Sequence, residues 1–165
     1  YGDHRELHLS IRRQRQMCIR DRIVRWPGRV PAGTTSKYVT GLEDWIPTLL
    51  DLIGEKKSIP AGLDGLSIAS ILYGKKQSQR EFLYREFSGY GGQQAVWSGR
   101  WKAIRQNILR KKNKQPLKIH LYDLNADISE SNDVAAQNPK VVVRLRKLMA
   151  REHTPSEFYP IKPLD

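Results

Sequence analysis

The 165-residue sequence predicts an α/β or α+β fold, and three observations carry that expectation. An apolar stripe of helical period runs from Leu42 to Ile53. Four short β-rich runs follow between Phe82 and Tyr122, set apart by Gly- and Asn-rich punctuation. A second amphipathic helix then extends from about Pro139 to Arg151. A strand, a helix, several antiparallel strands and a closing helix make the element order of a two-layer domain.

Each element has a local reason. Ile23-Val24-Arg25-Trp26 is β-branched and aromatic and stops at Pro27-Gly28, which reads as a strand entering a turn. After a loop containing Pro31 and Gly33, Thr40-Gly41-Leu42-Glu43 offers a T-x-x-E capping box. Leu42, Trp45, Ile46, Leu49, Leu50 and Ile53 then form the face expected to be buried, closed by Gly54. Pro47 falls inside that stretch, so the helix starts later or kinks there. Residues 56–65 are a loop in which Asp64-Gly65 reads as a turn, and Ser67 to Tyr73 is a short helix ended by Gly74. The strand-like runs are Phe82 to Phe87, Ala95 to Trp97, Trp101 to Gln106 and Ile119 to Tyr122, with Ser98-Gly99-Arg100 as a hairpin turn. The last helix has Asn138 at N-cap, Pro139 at N1, and Val141, Leu145, Leu148 and Met149 as its buried stripe. The tail to Asp165 holds three prolines and is expected to lie extended over the surface.

The first 22 residues fit none of these patterns. They resemble the translation of a transposon-based DNA sequencing adapter. Met17 to Arg22 (MCIRDR) reads back as ATG TGT ATA AGA GAC AG, the transposon end, and Arg12 to Gln16 (RRQRQ) as the primer site before it. Tyr1 to His8 (YGDHRELH) matches the outer adapter in the same frame, with Glu6 in place of Asp, and Leu9 to Ile11 fall where an index would lie. The rival reading is a basic arm that binds nucleic acid. A non-native segment is set aside before fold is read. Doing so leaves 143 residues, lowers the formal charge from +12 to +9, and removes Cys18, His4 and His8. A thiol nucleophile is then excluded, and only His120 and His153 remain as histidines.

Composition narrows the classes further. Mean hydropathy is −0.61, yet four Trp, seven Tyr and three Phe supply core material, so the chain is not of disordered type. No run of about 18 apolar residues exists, which excludes a transmembrane helix. One cysteine excludes an internal disulfide framework or a multi-Cys zinc site. A pI near 10.0 first suggests a polyanion partner. The charge is concentrated, however, in the run Arg105 to Lys118 and on the last helix, where solvated surface is the simpler reading. The expectation is therefore no nucleic acid and no membrane partner.

Residue by residue the catalytic inventory is small. His120 sits between Ile119 and Leu121 and reads as a structural edge-strand histidine, since a general base also needs an orienting partner. His153 follows the last helix and could cap it. Asp123, Asp127, Glu130 and Asp133 have rough calcium-loop character but lack the spacing of an EF-hand, so turn formation is the better reading. Arg105, Arg110, Lys111, Lys112, Lys114 and Lys118 could touch a polyanion or be a solvated hairpin loop. Glu86 to Gln94 (EFSGYGGQQ) is a Gly-rich polar loop of the texture that often lines a site.

Taken together, the punctuated runs resemble the C-terminal part of a sulfatase, in the alkaline-phosphatase-like superfamily. Ile23 to Gly28 (IVRWPG) resembles the strand and turn after the family's catalytic core. Asp44 to Gly54 (DWIPTLLDLIG) resembles its D-x-x-PTLL-x-x-x-G helix, and Leu63 to Gly74 (LDGLSIASILYG) its DG-x-S segment. Gln93 to Arg105 (QQAVWSGRWKAIR) resembles the QAVR-x-G-x-WK hairpin, with Trp97 in place of Arg. Leu121 to Ala135 (LYDLNADISESNDVA) and the closing helix resemble the LYDL-x-x-D-x-x-E-x-x-N-x-A ending. Five segments in the family's order span nearly all of residues 23–160 and account for the proline inside the first helix.

The resemblance implies an α/β (alkaline-phosphatase-like) fragment with a C-terminal α+β subdomain, a small antiparallel sheet packed by a C-terminal helix. It divides the chain into a non-native segment at 1–22, the end of the sulfatase α/β core at 23–80, and the antiparallel-sheet and helix subdomain at 81–165. The implied activity is sulfate-ester hydrolysis by a formylglycine made from Cys or Ser beside a calcium ion. The C-x-P-S-R or S-x-P-S-R site and the calcium ligands have no counterpart in this sequence, so no catalytic or metal residue is expected and the fragment alone is expected to be inactive. Substrate contact is expected from the loop, at Glu86, Tyr90, Gln93 and Gln94, although relatives often carry His where this chain has Ser88-Gly89-Tyr90. The implied partners are a sulfated small molecule or glycan and the missing N-terminal core, and the implied location of the parent is periplasmic or secreted. Trp26, Trp45 and Ile46 would face that missing core, which predicts an aggregation-prone or molten fragment. The rivals are a stand-alone basic module binding sulfated glycan or another polyanion, and an unrelated α+β enzyme that would need a catalytic group not found here.

Overall fold

The computed structural model describes residues 22–165. The adapter-like segment up to Asp21 lies outside the described residues, with Cys18, His4 and His8.

Four strands form one antiparallel sheet in chain order: β1 (Leu83–Phe87), β2 (Gln93–Ser98), β3 (Trp101–Gln106) and β4 (His120–Asp123). The register sets Glu86 opposite Gln94, Ser98 opposite Trp101, and Trp101 opposite Asp123. The two-residue turn Gly99-Arg100 joins β2 to β3, with Gly99 at φ +57°, as the Ser-Gly-Arg signal predicts. Strand β2 starts two residues before the expected Ala95, because Gln93 and Gln94 find ladder partners on both sides.

The two-residue period divides the sheet into two faces. One carries Val96, Ala103 and Leu121, which pack with Ile119 against Leu145 and Met149 of a helix spanning Pro139–Glu152. Leu145 and Met149 are fully buried, and sealing each large apolar side chain is worth roughly 1.5–3 kcal/mol. The other face carries Leu83, Ala95, Trp97 and Ile104, and Val39 packs against it. Pro139 stands in the first turn of the helix, where its missing N–H leaves no bond unmade. Asn138 precedes it but does not cap with its side chain, which donates instead to the Val134 carbonyl at 3.0 Å.

The N-terminal portion departs from expectation in three places. Ile23 to Trp26 is irregular rather than a strand, since no neighbouring strand among the described residues offers it a ladder. The first helix begins as a 3₁₀ turn at Leu42–Asp44 and becomes α-helical only at α1 (Trp45–Leu52). Pro47 thus falls in the first α-turn and breaks no intrahelical bond. The cap is made by Asp44, whose carboxylate accepts the Gly41 N–H at 2.6 Å, rather than by Glu43 reaching Thr40.

The third departure is the orientation of α1. Leu42, Ile46, Leu49 and Ile53 are between 53% and 75% exposed, while Asp44, Pro47 and Thr48 are buried. The reason is polar. Asp44 accepts the Leu66 N–H at 2.9 Å and both terminal nitrogens of Arg80, and the Thr48 hydroxyl accepts the Ile68 N–H at 3.0 Å. That side of the helix is therefore committed to the 65–80 segment. Gly65 lies against the Glu43 carbonyl, a contact no side chain would permit, so it serves close approach rather than a turn. A short helix α2 (Ala69–Leu72) follows, closed by Gly74 at φ +73° as expected. The Pro139–Glu152 helix is α3. Beyond it the tail is not merely extended, for Ile161 is buried and a turn returns its amide neighbours to the Ile161 carbonyl.

Candidate functional site

The loop between β1 and β2 is built on a buried polar network. The Glu86 carboxylate accepts from the Tyr84 hydroxyl, from Gln94 Nε2 at 3.2 Å and from His153 Nδ1 at 2.7 Å. Gln94, 1% exposed, also donates to the Tyr84 oxygen at 2.6 Å and to the Met149 carbonyl at 3.2 Å, and its own oxygen accepts from Arg105 at 2.6 Å. Burial, reinforced by the Glu86 carboxylate, pushes the Tyr84 phenol far above its usual range and keeps it a hydrogen-bond donor. Burial also depresses the Arg105 guanidinium, aided by the positive charge of Arg146.

The four residues expected to contact substrate thus separate. Glu86 and Gln94 share the α3 side of the sheet and fix the base of the loop. Gln93 lies on the opposite face, half-buried, across from Gln106. Tyr90 stands exposed in the loop at φ +52°, its ring 5.8 Å from that of Phe87. Tyr84, Arg105 and His153 complete the network and are not among those four; Arg105, expected in a basic run that touches a polyanion or water, is instead buried in β3. His153 stands at the C-cap position of α3, but its ring turns away from the helix. It bridges Glu86 and, through Nε2 at 3.1 Å, Asp165. Only tertiary contact across 67 residues could reveal that pairing.

His120 has the orienting partner the sequence did not display. Its Nδ1 lies 2.7 Å from Asp133 Oδ2, while Asp133 Oδ1 accepts the amides of Leu121 and Ala135. Partial burial opposes ionisation of Asp133, but those two amides and His120 outweigh it and hold the carboxyl below its ordinary range. His120 lines an open groove of about 540 Å³ along the β3–β4 loop, together with Arg110, Lys112, Lys114 and Lys118.

The acidic patch does not fit a calcium ion. Asp123 pairs with Arg100, Glu130 with Lys102, Asp127 accepts the Ser131 and Asn132 amides, and Asp133 is committed as above. Asp127, and Asp123 through the Asn125 amide at 3.2 Å, form turns as the sequence suggests, whereas the Asp123–Arg100 and Glu130–Lys102 ion pairs reach back to the β2–β3 hairpin. Among the described residues no group of three or more His, Cys, Asp or Glu is placed to hold a metal.

The family model described as N-sulphoglucosamine sulphohydrolase, C-terminal, matches residues 15–154. Over 83 residues the chain is 37% identical to arylsulfatase G of Rattus norvegicus, which aligns 48% of this chain with 16% of that protein. Over 134 residues it is 30% identical to an N-acetylgalactosamine-6-O-sulfatase of Bacteroides thetaiotaomicron, aligning 77% of this chain with 26% of that one. The solved structure of Ps i-CgsB in complex with k-i-k-neocarrahexaose superposes with a TM-score of 0.56 at 26% identity, over 81% of this chain and 29% of the other. The chain therefore spans less than a third of the length of these relatives. A four-stranded meander closed by one helix, with the family match running through both, identifies the chain as a member of the sulfatases, alkaline-phosphatase-like proteins, in their C-terminal region.

Proposed function

We propose that this chain supplies the C-terminal α+β part of an enzyme that hydrolyses a sulfate ester on a sulfated sugar or small molecule, and that it is inactive alone. The observation that carries this reading is the outward apolar face of α1, made by Leu42, Ile46, Leu49 and Ile53. A helix that turns such a stripe to water while burying Asp44 and Thr48 is built to be covered on that side. In a sulfatase the cover is the remainder of the catalytic α/β layer, which would bring the formylglycine and the calcium ion. The sugar substrate is suggested by the N-acetylgalactosamine-6-O-sulfatase relative and by the oligosaccharide held in the carrageenan-type complex.

In that assembly Tyr90 and Gln93 reach toward the substrate, while Glu86 and Gln94 act beneath them as positioning residues. The exposed Tyr90 ring can lie against a sugar face, and Gln93 can bond a hydroxyl. Glu86 and Gln94, held by Tyr84, Arg105 and His153, fix where the loop leaves the sheet.

The test has two arms. The full chain is assayed for sulfate release from an aryl sulfate and from 6-O-sulfated N-acetylgalactosamine. A chimera carries residues 23–165 in place of the matching quarter of the Bacteroides relative and is assayed alongside. Silence of the chain and turnover by the chimera are expected. Turnover by the chain alone, or a soluble chimera without any, overturns the reading.

A further inference from the structure

The β3–β4 loop carries a feature that sulfate-ester hydrolysis does not by itself require. Its open groove, about 540 Å³, falls within the ~300–1,000 Å³ typical of small-ligand sites. Every side chain that lines it is Lys, Arg, His, Asn or Gln. Arg110, Lys112, Lys114 and Lys118 stand around one concavity with no carboxylate among the lining residues. Among the described residues none of these four lies within ion-pair distance of an acid, whereas Arg80, Arg85, Arg100 and Lys102 each do. Among the described residues, ion pairs therefore anchor those four cations in the fold, while the four around the groove carry none.

The loop backbone is also tied down, which roots these four side chains around the one concavity. The Ile108 amide donates to the Gly92 carbonyl at 3.1 Å and the Leu109 amide to Gly91 at 2.8 Å, with Ile108 buried beneath. The Asn113 side chain ties Gln106 and Asn107 by their carbonyls, at 3.3 and 3.0 Å. His120 at the groove has Nδ1 held by Asp133, which fixes its ring. Like charges gathered around one concavity repel one another, and a ligand bearing several anionic groups relieves that repulsion.

We infer that this groove binds the sulfate groups of a sulfated oligosaccharide. The choice of sulfate rests on the sulfatase reading above. The four cations would take sulfate oxygens, and the side-chain amides of Gln106 and Gln115, which also line the groove, would take sugar hydroxyls. A single-stranded nucleic acid is the poorer match, because no aromatic ring lines the groove to stack a base.

The experiment is calorimetry on the full 165-residue chain with three probes: a chondroitin-6-sulfate hexasaccharide, the same hexasaccharide without sulfate, and a short single-stranded DNA. The triple variant Lys112→Gln, Lys114→Gln and Lys118→Gln is compared with an equal-charge control on other surfaces, Lys57→Gln, Lys140→Gln and Lys147→Gln. The expected result is binding of the sulfated probe only, weakened about tenfold or more in the groove variant, with a salt slope reduced by about one per lysine. Restoring charge with Arg at the same three positions should restore binding, and circular dichroism checks that each variant is folded. Equal loss in the control, equal binding of the unsulfated probe, or groove-dependent binding of DNA at matching affinity would each overturn the inference. The readout involves no turnover, so a failed groove leaves the sulfatase chimera result standing, and an inactive chimera leaves the binding result standing.

Discussion

Arg80 holds Asp44 through both terminal guanidinium nitrogens, at 3.0 Å to Oδ1 and 3.2 Å to Oδ2, with both side chains almost sealed from water. The same carboxylate accepts the amides of Gly41 and Leu66, so one buried anion ties together three separate segments. Asp44→Asn should cost about 3–5 kcal/mol, because it leaves the Arg80 charge buried without a counter-ion. Urea unfolding checks this. Pairing it with Arg80→Met should cost less than the two single changes added, since the stranded charge is then gone.

Asp133 gives an acid limb to the stability curve. Its carboxyl is held below its ordinary value of 3.8, so its contribution is complete above that value and is lost as pH falls through the lower folded one. Thermal melts across the acid range should show stability falling with pH, and Asp133→Asn should flatten that limb.

Gly92 is a point of close approach as well as of positive φ. At φ +76° an added Cβ would stand 2.8 Å from Leu109 Cγ, whereas at Gly99, φ +57°, it would meet nothing within 4 Å. Gly92→Ala should therefore destabilise by about 1–3 kcal/mol, more than Gly99→Ala, which carries the backbone cost alone. Amide exchange at Ile108 and Leu109 should quicken in the first variant only.

The outward stripe on α1 should govern solubility. Ile46→Lys with Leu49→Lys places charges where 56% and 53% of each side chain already meets water, so the melting temperature should move little. Light scattering on concentrated chain should fall markedly. If scattering is unchanged, association arises from another surface.

Local signals led to the sheet and its closing helix. Alternating residues at 82–87 and 101–106, Ser98-Gly99-Arg100 and Asn138-Pro139 each encode their conformation within a few positions, and β1, β3 and α3 lie where those signals put them. The stripe on α1 was equally visible, yet its direction was not. Periodicity identifies an apolar face but not what covers it, and here the bonds of Asp44 and Thr48 decide which side turns inward. The same holds for the candidate loop. Glu86 and Gln94 were legible as polar residues beside a Gly-rich turn, but their anchoring by Tyr84, Arg105 and His153 depends on strand register and a returning tail. Asp133 as the partner of His120 lies 13 residues away, beyond any spacing rule for a strand histidine.

The strictly sequential strand order also bears on how the region assembles. Each strand pairs with the one just before it, so no closure spans more than the thirteen residues between β3 and β4 and its entropic cost stays small. Contacts of this kind form early and quickly. The meander can therefore register itself from its own turns, and α3, arriving last in the chain, can dock on a surface already in place.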